Sequence, residues 1–189
     1  MTHRMTPLKR VVVVGSSGSG KTTVGSKISK ALGVPHLEMD AIMHANGWNS
    51  SSGEEFLRIL SEFASGDTWV VDGNYTSHGV AEAVWPRADT FVWLDPPKGV
   101  VMSRVIRRTL RRMITREKLW NGLTEPLSNL YKRDPYENII VWTWTRFDGT
   151  RESFARASGD GSWSHAAVYR LRSKGDVARF LDSLTRSQN

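Results

Sequence analysis

The chain has 189 residues, 39% of them hydrophobic and 24% charged, which suits one folded domain with a substantial core. It has no cysteine, so disulfides and thiolate metal sites are excluded, and no apolar run approaches the ~20 residues of a membrane span. The net charge of +7 invites a nucleic-acid partner, but a basic cluster serves a polyphosphate substrate equally well.

Residues 1–8 read as a short tail, and the apolar run behind them is too short for a signal-peptide core, so a cytoplasmic location is expected. Val11 to Val14 suit a strand buried on both faces. The run leads into Gly15-Ser16-Ser17-Gly18-Ser19-Gly20-Lys21-Thr22-Thr23, the spacing of a phosphate-binding loop followed by a helix. Gly15, Gly18 and Gly20 let the backbone turn and aim successive amides at phosphate oxygens. Lys21 supplies a positive charge, Thr22 a hydroxyl for Mg²⁺, and the helix its positive dipole end.

Val24, Ile28, Ala31 and Leu32 keep helical spacing until Gly33, where a C-terminal cap belongs. His36 to Met39 reads as a second strand, with Asp40 at its C-terminal end as either a site acid or a cap. Ala41 to Ser52 reads as a loop, in which Trp48 suits stacking on a base or plain packing. Ser52 and Glu55 form a capping box for a helix whose apolar face is Phe56, Ile59, Leu60 and Phe63, giving a small lobe over the crevice.

Trp69 to Val71 form a third strand ending at Asp72, an acid placed to hold Mg²⁺ or its waters, or to make an Asp-Gly turn. Ala88 to Leu94 are a fourth strand, and Asp95 with two prolines fits a turn at least as well as a site. A long helix follows to about Thr115, with Val101, Met102, Val105, Ile106 and Met113 as its buried side. Arg104, Arg107, Arg108, Arg111, Arg112 and Arg116 occupy its other positions, either as a solvated face or as bidentate phosphate ligands.

Glu117 to Pro135 has the polar, broken character of a flap. Ile139 to Thr145 alternates like a strand, but Ile140, Trp144, Phe147, Arg151 and Phe154 extend it at helical spacing, so a helix is expected. Ala166 to Leu171 are the fifth strand, after a loop at 159–164. Ser173 and Asp176 cap a last helix that buries Val177, Phe180, Leu181 and Leu184.

Strands alternating with helices argue for a parallel sheet covered on both faces. The segments GSSGSGKT at 15–22, LEMD at 37–40, WVVDGNY at 69–75, ADTFVWLDPP at 88–97, RVIRR at 104–108 and YRLRSKGDVARFL at 169–181 carry a family likeness. Through them the chain resembles the adenylate-kinase-related P-loop kinases, and within these the topology-modulation-like group. The resemblance implies an α/β P-loop NTPase fold of about five parallel strands, nucleoside-monophosphate-kinase-like, with the phosphate-loop strand central and Asp72's strand beside it. It also implies one domain over 1–189, with a substrate lobe at about 41–66 and an arginine-bearing lid at about 112–134.

By the same resemblance Arg104 lies against the ATP base and Arg108 touches the phosphates, with Arg112 in the lid. Asp72 is the Mg²⁺-associated acid, and Asp40 looks like the acid that meets a substrate hydroxyl in shikimate kinase. Asn74-Tyr75 stands where adenylate kinases carry a proline and a substrate-phosphate arginine. The expected activity is transfer of a phosphoryl group from ATP, with Mg²⁺, to a nucleoside monophosphate, a nucleoside or a small hydroxylated metabolite. Lys21, Asp40, Asp72, Arg108 and Arg112 would carry the chemistry. The rival reading is a nucleotide-dependent regulator that binds DNA or RNA through the arginine helix and eight tryptophans.

Overall fold

Four consecutive valines can all be buried only where both faces of their strand are covered. Val12 and Val14 enter one core cluster, and Val11 and Val13 enter another. The computed structural model describes residues 8–43, 53–74, 79–117, 124 and 127–186. In chain order they form β1 (Arg10–Gly15), α1 (Lys21–Leu32), β2 (His36–Glu38), α2 (Met39–Met43), α3 (Gly53–Ala64) and β3 (Trp69–Asp72). There follow α4 (Val80–Ala83), β4 (Thr90–Leu94), α5 (Lys98–Thr115), α6 (Ile139–Gly159), β5 (Ala167–Leu171) and α7 (Lys174–Arg186).

The strands make one five-stranded sheet in the order β2-β3-β1-β4-β5, and every pairing is parallel. The strand before the phosphate loop is therefore central, with Asp72's strand as its neighbour. Helices α1 and α7 cover one face through Val24, Ile28, Phe180 and Leu184. Helices α3, α4 and α6 cover the other through Phe56, Leu60, Val80 and Phe154, reinforced by Phe91 stacked on Trp163 at 4.3 Å. Helix α5 packs on α6 instead, with Val101 and Val105 against Phe147. Among the described residues no helix is long and apolar enough to cross a membrane.

Local chemistry explains most element ends. Gly33 closes α1 at φ +68°, its amide donating to the Ser29 carbonyl. Asn138 caps α6, its side-chain oxygen accepting from the amides of Ile140 and Val141, and this cap selects helix over strand for the IIVWTWT segment. Asp176 accepts from the amides of Arg172 and Ser173 while the Ser173 hydroxyl accepts from the Asp176 amide, as the capping box requires.

Several expectations change. The second strand ends at Glu38, and Met39 opens the short α2, so Asp40 stands in a first helical turn rather than on a strand end. Part of the expected 41–52 loop is thus helical, while Trp48 and Ser52 lie outside the described residues. Helix α3 joins the main core through Phe56, Leu60 and Ala64, and residues 44–52 of the expected 41–66 lobe lie outside the described residues. On α5, Thr109 is buried where Ile106 was expected, and Ile106 is exposed. On α6, Trp144 faces outward, and Thr143 and Ala157 join Phe147 and Phe154 inside. Most of the expected lid lies outside the described residues.

Candidate active site

The loop between β1 and α1 is built on glycines that no other residue can replace without strain. Gly15, Gly18 and Gly20 have φ of +149°, +77° and +105°. A Cβ on Gly15 would lie 2.5 Å from the Leu94 carbonyl oxygen, and one on Gly18 would lie 2.4 Å from Val105 Cγ2. The loop is thus wedged between the end of β4 and the inner face of α5. The Ser19 amide donates back to the Ser16 carbonyl at 3.1 Å, while the amides of Ser17, Gly18 and Gly20 have no acceptor among the described residues. Unsatisfied amides beside a helix N-terminus fit phosphate oxygens.

The ammonium of Lys21 donates to the Ser16 carbonyl at 3.3 Å. Burial pushes its pKa down, the Arg108 guanidinium adds to that, and the carboxylates of Asp40 and Asp72 pull it back up. Those four side chains therefore share one electrostatic neighbourhood around the loop. A cation withdrawn from water and given only one carbonyl among the described residues suits a polyanion that arrives later. Glu38 is affected in the opposite sense, its pKa raised chiefly by burial and then by the negative charges of Asp72 and Asp40.

Asp72 is buried at the end of β3, and its Oδ1 accepts from the Thr22 hydroxyl at 3.3 Å. Its Oδ2 lies 2.7 Å from His36 Nε2, at the start of the adjacent β2. Helix α1 leaves room for that pair: a Cβ on Gly25 would lie 2.7 Å from His36 Nε2 and 3.3 Å from Asp72 Oδ2. A hydroxyl and a carboxylate oxygen fit Mg²⁺, whose other positions water and phosphate oxygens fill. Among the described residues no group of three or more His, Asp or Glu side chains could hold a metal ion. His36 escaped sequence reasoning because it reads as an ordinary strand residue until the sheet sets β2 beside β3.

Asn74 bolts the end of β3 to the loop. Its side-chain oxygen accepts from the Gly15 amide at 3.2 Å, and its amide nitrogen donates to the Gly15 carbonyl. Above the loop, the α5 arginines divide by helical periodicity. Arg104, Arg108 and Arg112 share one half-buried face, while Arg107, Arg111 and Arg116 are exposed. Arg104 Nη1 donates to the Ser19 carbonyl at 2.8 Å. Arg112 lies 3.7 Å from Glu117, which also pairs with Arg111 at 2.9 Å. Thr23 is exposed on α1, away from the Thr22–Asp72 contact.

Asp95 is neither a plain turn residue nor an open site acid. It is buried after β4 and ion-paired to Arg151 at 2.9 Å and to Arg170 at 2.6 Å, with Arg172 at 3.7 Å. Arg170 also lies over the Trp93 ring at 4.0 Å. The cluster ties α6 to the β5 edge.

A parallel sheet whose central strand runs through a glycine-rich turn into a helix, with an acid ending the neighbouring strand, defines a P-loop NTPase fold of the small-kinase type. Similarity to known proteins agrees. No family model matches the chain. It is 29% identical to the shikimate kinase of Mycobacterium avium over 141 residues, covering 66% of this chain and 79% of that one. It is 28% identical to mouse threonine synthase-like 1 over 126 residues, which are 60% of this chain but only 17% of that protein. Among solved structures, shikimate kinase from Acinetobacter baumannii in complex with shikimate superposes with a TM-score of 0.55 at 17% identity, over 95% of this chain and 92% of that one. A gluconokinase from Sinorhizobium meliloti gives 0.50 at 19% identity, over 98% and 100%.

Proposed function

We propose that the protein is an ATP-dependent kinase that phosphorylates a small hydroxylated metabolite. The observation that carries this reading is the convergence of Lys21, Thr22, Asp72, Asp40 and Arg108 on one glycine-rich loop with unsatisfied amides. In this reading Gly15 to Thr23 cradle the phosphates and Lys21 neutralises the β- and γ-oxygens. Thr22 and Asp72 hold the Mg²⁺ site, and the ion, when bound, would offset negative charge on the transferring group. Arg104 lies along the loop beside the adenine position, and Arg108 with Arg112 extends the positive surface toward the transferred phosphoryl group. Asp40 orients the acceptor hydroxyl and takes its proton.

Asn74 favours a hydroxylated metabolite over a nucleoside monophosphate. Adenylate kinases place a substrate-phosphate arginine in this region, whereas here both polar atoms of Asn74 are engaged by Gly15. The rival regulator reading is not favoured, because Arg104 bonds the loop's Ser19 carbonyl and Arg108 lies within electrostatic reach of Lys21. Membership of the topology-modulation-like group, and action in the cytoplasm where ATP is made, belong to the same proposal. Steady-state kinetics of Arg108→Ala test it. The expected result is a loss in kcat of about 10²-fold or more, with ATP affinity changed much less. Equal losses in both would remove Arg108 from the transfer step.

A further inference from the structure

Strand β2 runs beside β3 with Glu38 against Asp72, and one step further on Met39 meets Gly73. At that step the chain leaves the sheet and turns into α2, whose second residue is Asp40. The turn is built against Gly73. Its φ is +149°, a conformation side chains rarely allow, and its amide donates to the Val13 carbonyl at 3.3 Å, which fixes it to β1. A Cβ on Gly73 would lie 2.7 Å from Met39 Cβ and 2.9 Å from both Cγ and Sδ. Met39 is buried in the core cluster that also holds Val12, Phe56 and Val71, so it has no empty place to retreat to.

The two neighbours of Gly73 are tied to other parts of the site. Asp72 meets Thr22 and His36, and Asn74 brackets Gly15 with both polar atoms of its carboxamide. The tripeptide Asp72-Gly73-Asn74 therefore touches the Thr22 hydroxyl, the start of the phosphate loop and the first residue of α2. Asp72 and Asn74 reach their partners through side chains. Gly73 reaches α2 by having none.

We infer that Gly73 is a positioning residue for Asp40: its bare Cα lets Met39 settle against the end of β3, and so sets how far the α2 carboxylate stands from the phosphate loop. Carbon atoms in contact lie about 3.5–4.0 Å apart, so a methyl group at this position drives Met39 off by about 1 Å. A misplacement of about 1 Å at a reacting centre costs up to about 10²-fold in rate. Met39 and Asp40 are consecutive in a five-residue helix, so the carboxylate moves with the side chain that is pushed. The contact lies between β3 and α2, whereas the loop is held by Asp72 and Asn74, so nucleotide binding should stay unchanged. This inference rests on the kinase reading, in which Asp40 takes the acceptor's proton.

The test is a set of variants read by two assays with Mg·ATP. One is nucleotide affinity by isothermal titration calorimetry. The other is turnover, by release of phosphate to water and by transfer to a panel of small hydroxylated metabolites. Gly73→Ala should keep the Kd of Mg·ATP within about twofold of wild type and lose turnover by about 10- to 10²-fold, with the KM for ATP unchanged. Asp40→Asn should show the same split. Asn74→Ala, one residue away, should instead raise the Kd of Mg·ATP about 10-fold or more, because Gly15 loses both of its bonds to that side chain.

Met39→Ala removes the two atoms at 2.9 Å and leaves space for the methyl group. Gly73→Ala/Met39→Ala should therefore turn over at least about threefold faster than Gly73→Ala alone. Backbone strain at residue 73 is common to both variants and cancels in that comparison. Where Gly73→Ala alone fails to fold, the double variant should still fold and turn over within about threefold of Met39→Ala. Turnover by Gly73→Ala within twofold of wild type, or turnover and Mg·ATP affinity falling together, would overturn the assignment and leave the kinase reading intact. So would a double variant no better than Gly73→Ala, or full activity in Asp40→Asn where Gly73→Ala has lost it. Mg·ATP binding by wild type without transfer to water or to any panel member would overturn the kinase reading and the assignment with it.

Discussion

His36→Ala separates a structural histidine from one that serves the proposed magnesium site. The imidazole is 13% exposed and is bonded to one oxygen of a carboxylate that is 2% exposed. Removing it leaves that oxygen without this partner in a buried place, which costs about 1–3 kcal/mol. At about 2–4 °C per kcal/mol for a domain of this size, a mid-range loss of about 2 kcal/mol lowers Tm by about 4–8 °C. The second consequence falls on the proposed ion: the His36 bond to Oδ2 orients the carboxylate whose Oδ1 meets Thr22, so freeing it should raise the Mg²⁺ concentration for half-maximal activity about 10-fold or more. Gly25→Ala approaches the same pair from α1, placing a methyl group 2.7 Å from His36 Nε2. It should shift the Mg²⁺ requirement in the same direction with a smaller fall in Tm, because alanine favours the helix by about 1 kcal/mol. The assay is differential scanning calorimetry of each variant, followed by a magnesium titration of ATP turnover at fixed ATP. A His36→Ala protein with unchanged Tm and unchanged magnesium requirement would refute the reasoning.

Three further variants test the charges of the fold. Lys21→Met should raise Tm without nucleotide, because the fold lowers the lysine pKa and so penalises the ammonium at neutral pH. The same variant should lose the stabilisation that Mg·ATP gives the wild type, about 2.7 kcal/mol at a hundredfold excess over Kd, or about 5–10 °C, by thermal shift. Glu38 has a raised folded pKa, so the folded state holds the proton more tightly than the unfolded chain, and stability falls as pH rises through the window above the ordinary glutamate value. Glu38→Gln should therefore stabilise at pH 7, and the gain should vanish below that window in denaturant melts. Asp95→Asn removes the charge shared by Arg151 and Arg170 and should cost less than the ~3–5 kcal/mol of a fully buried broken pair, since both arginines are partly exposed. A urea midpoint equal to wild type would contradict that.

The phosphate loop was legible in the sequence because its information is local. Strand, glycines, lysine and helix lie within a dozen residues, and the fold adds only Val105 and Leu94 as walls. Asp72 was legible as an acid ending a valine-rich strand. Its partner was not, since His36 lies 36 residues away and meets it only through the pairing of β2 with β3. Asn74 shows the same limit across 59 residues. Asp95 misled for another reason: an acid before two prolines has a turn's signature, and nothing nearby in sequence announces Arg151 or Arg170. Periodicity found α5 and α6 but misjudged their faces at Ile106 and Trp144. Helix α5 packs on α6 rather than on the sheet, and α6 divides its inner face between α5 and the sheet, so the buried stripe is not the one the most apolar residues draw. Asp40 changed element, from strand end to helix start, and still remained in Lys21's electrostatic reach.

The central claim is that this loop transfers a phosphoryl group rather than only binding a nucleotide. Phosphorus NMR of Mg·ATP incubated with a panel of small hydroxylated metabolites tests it most directly, with Lys21→Met as the control. The account predicts a new phosphomonoester resonance growing as the γ-phosphate signal falls, present with wild type and absent with the variant. Loss of the γ-signal to inorganic phosphate alone, or no loss despite nucleotide binding, would contradict it.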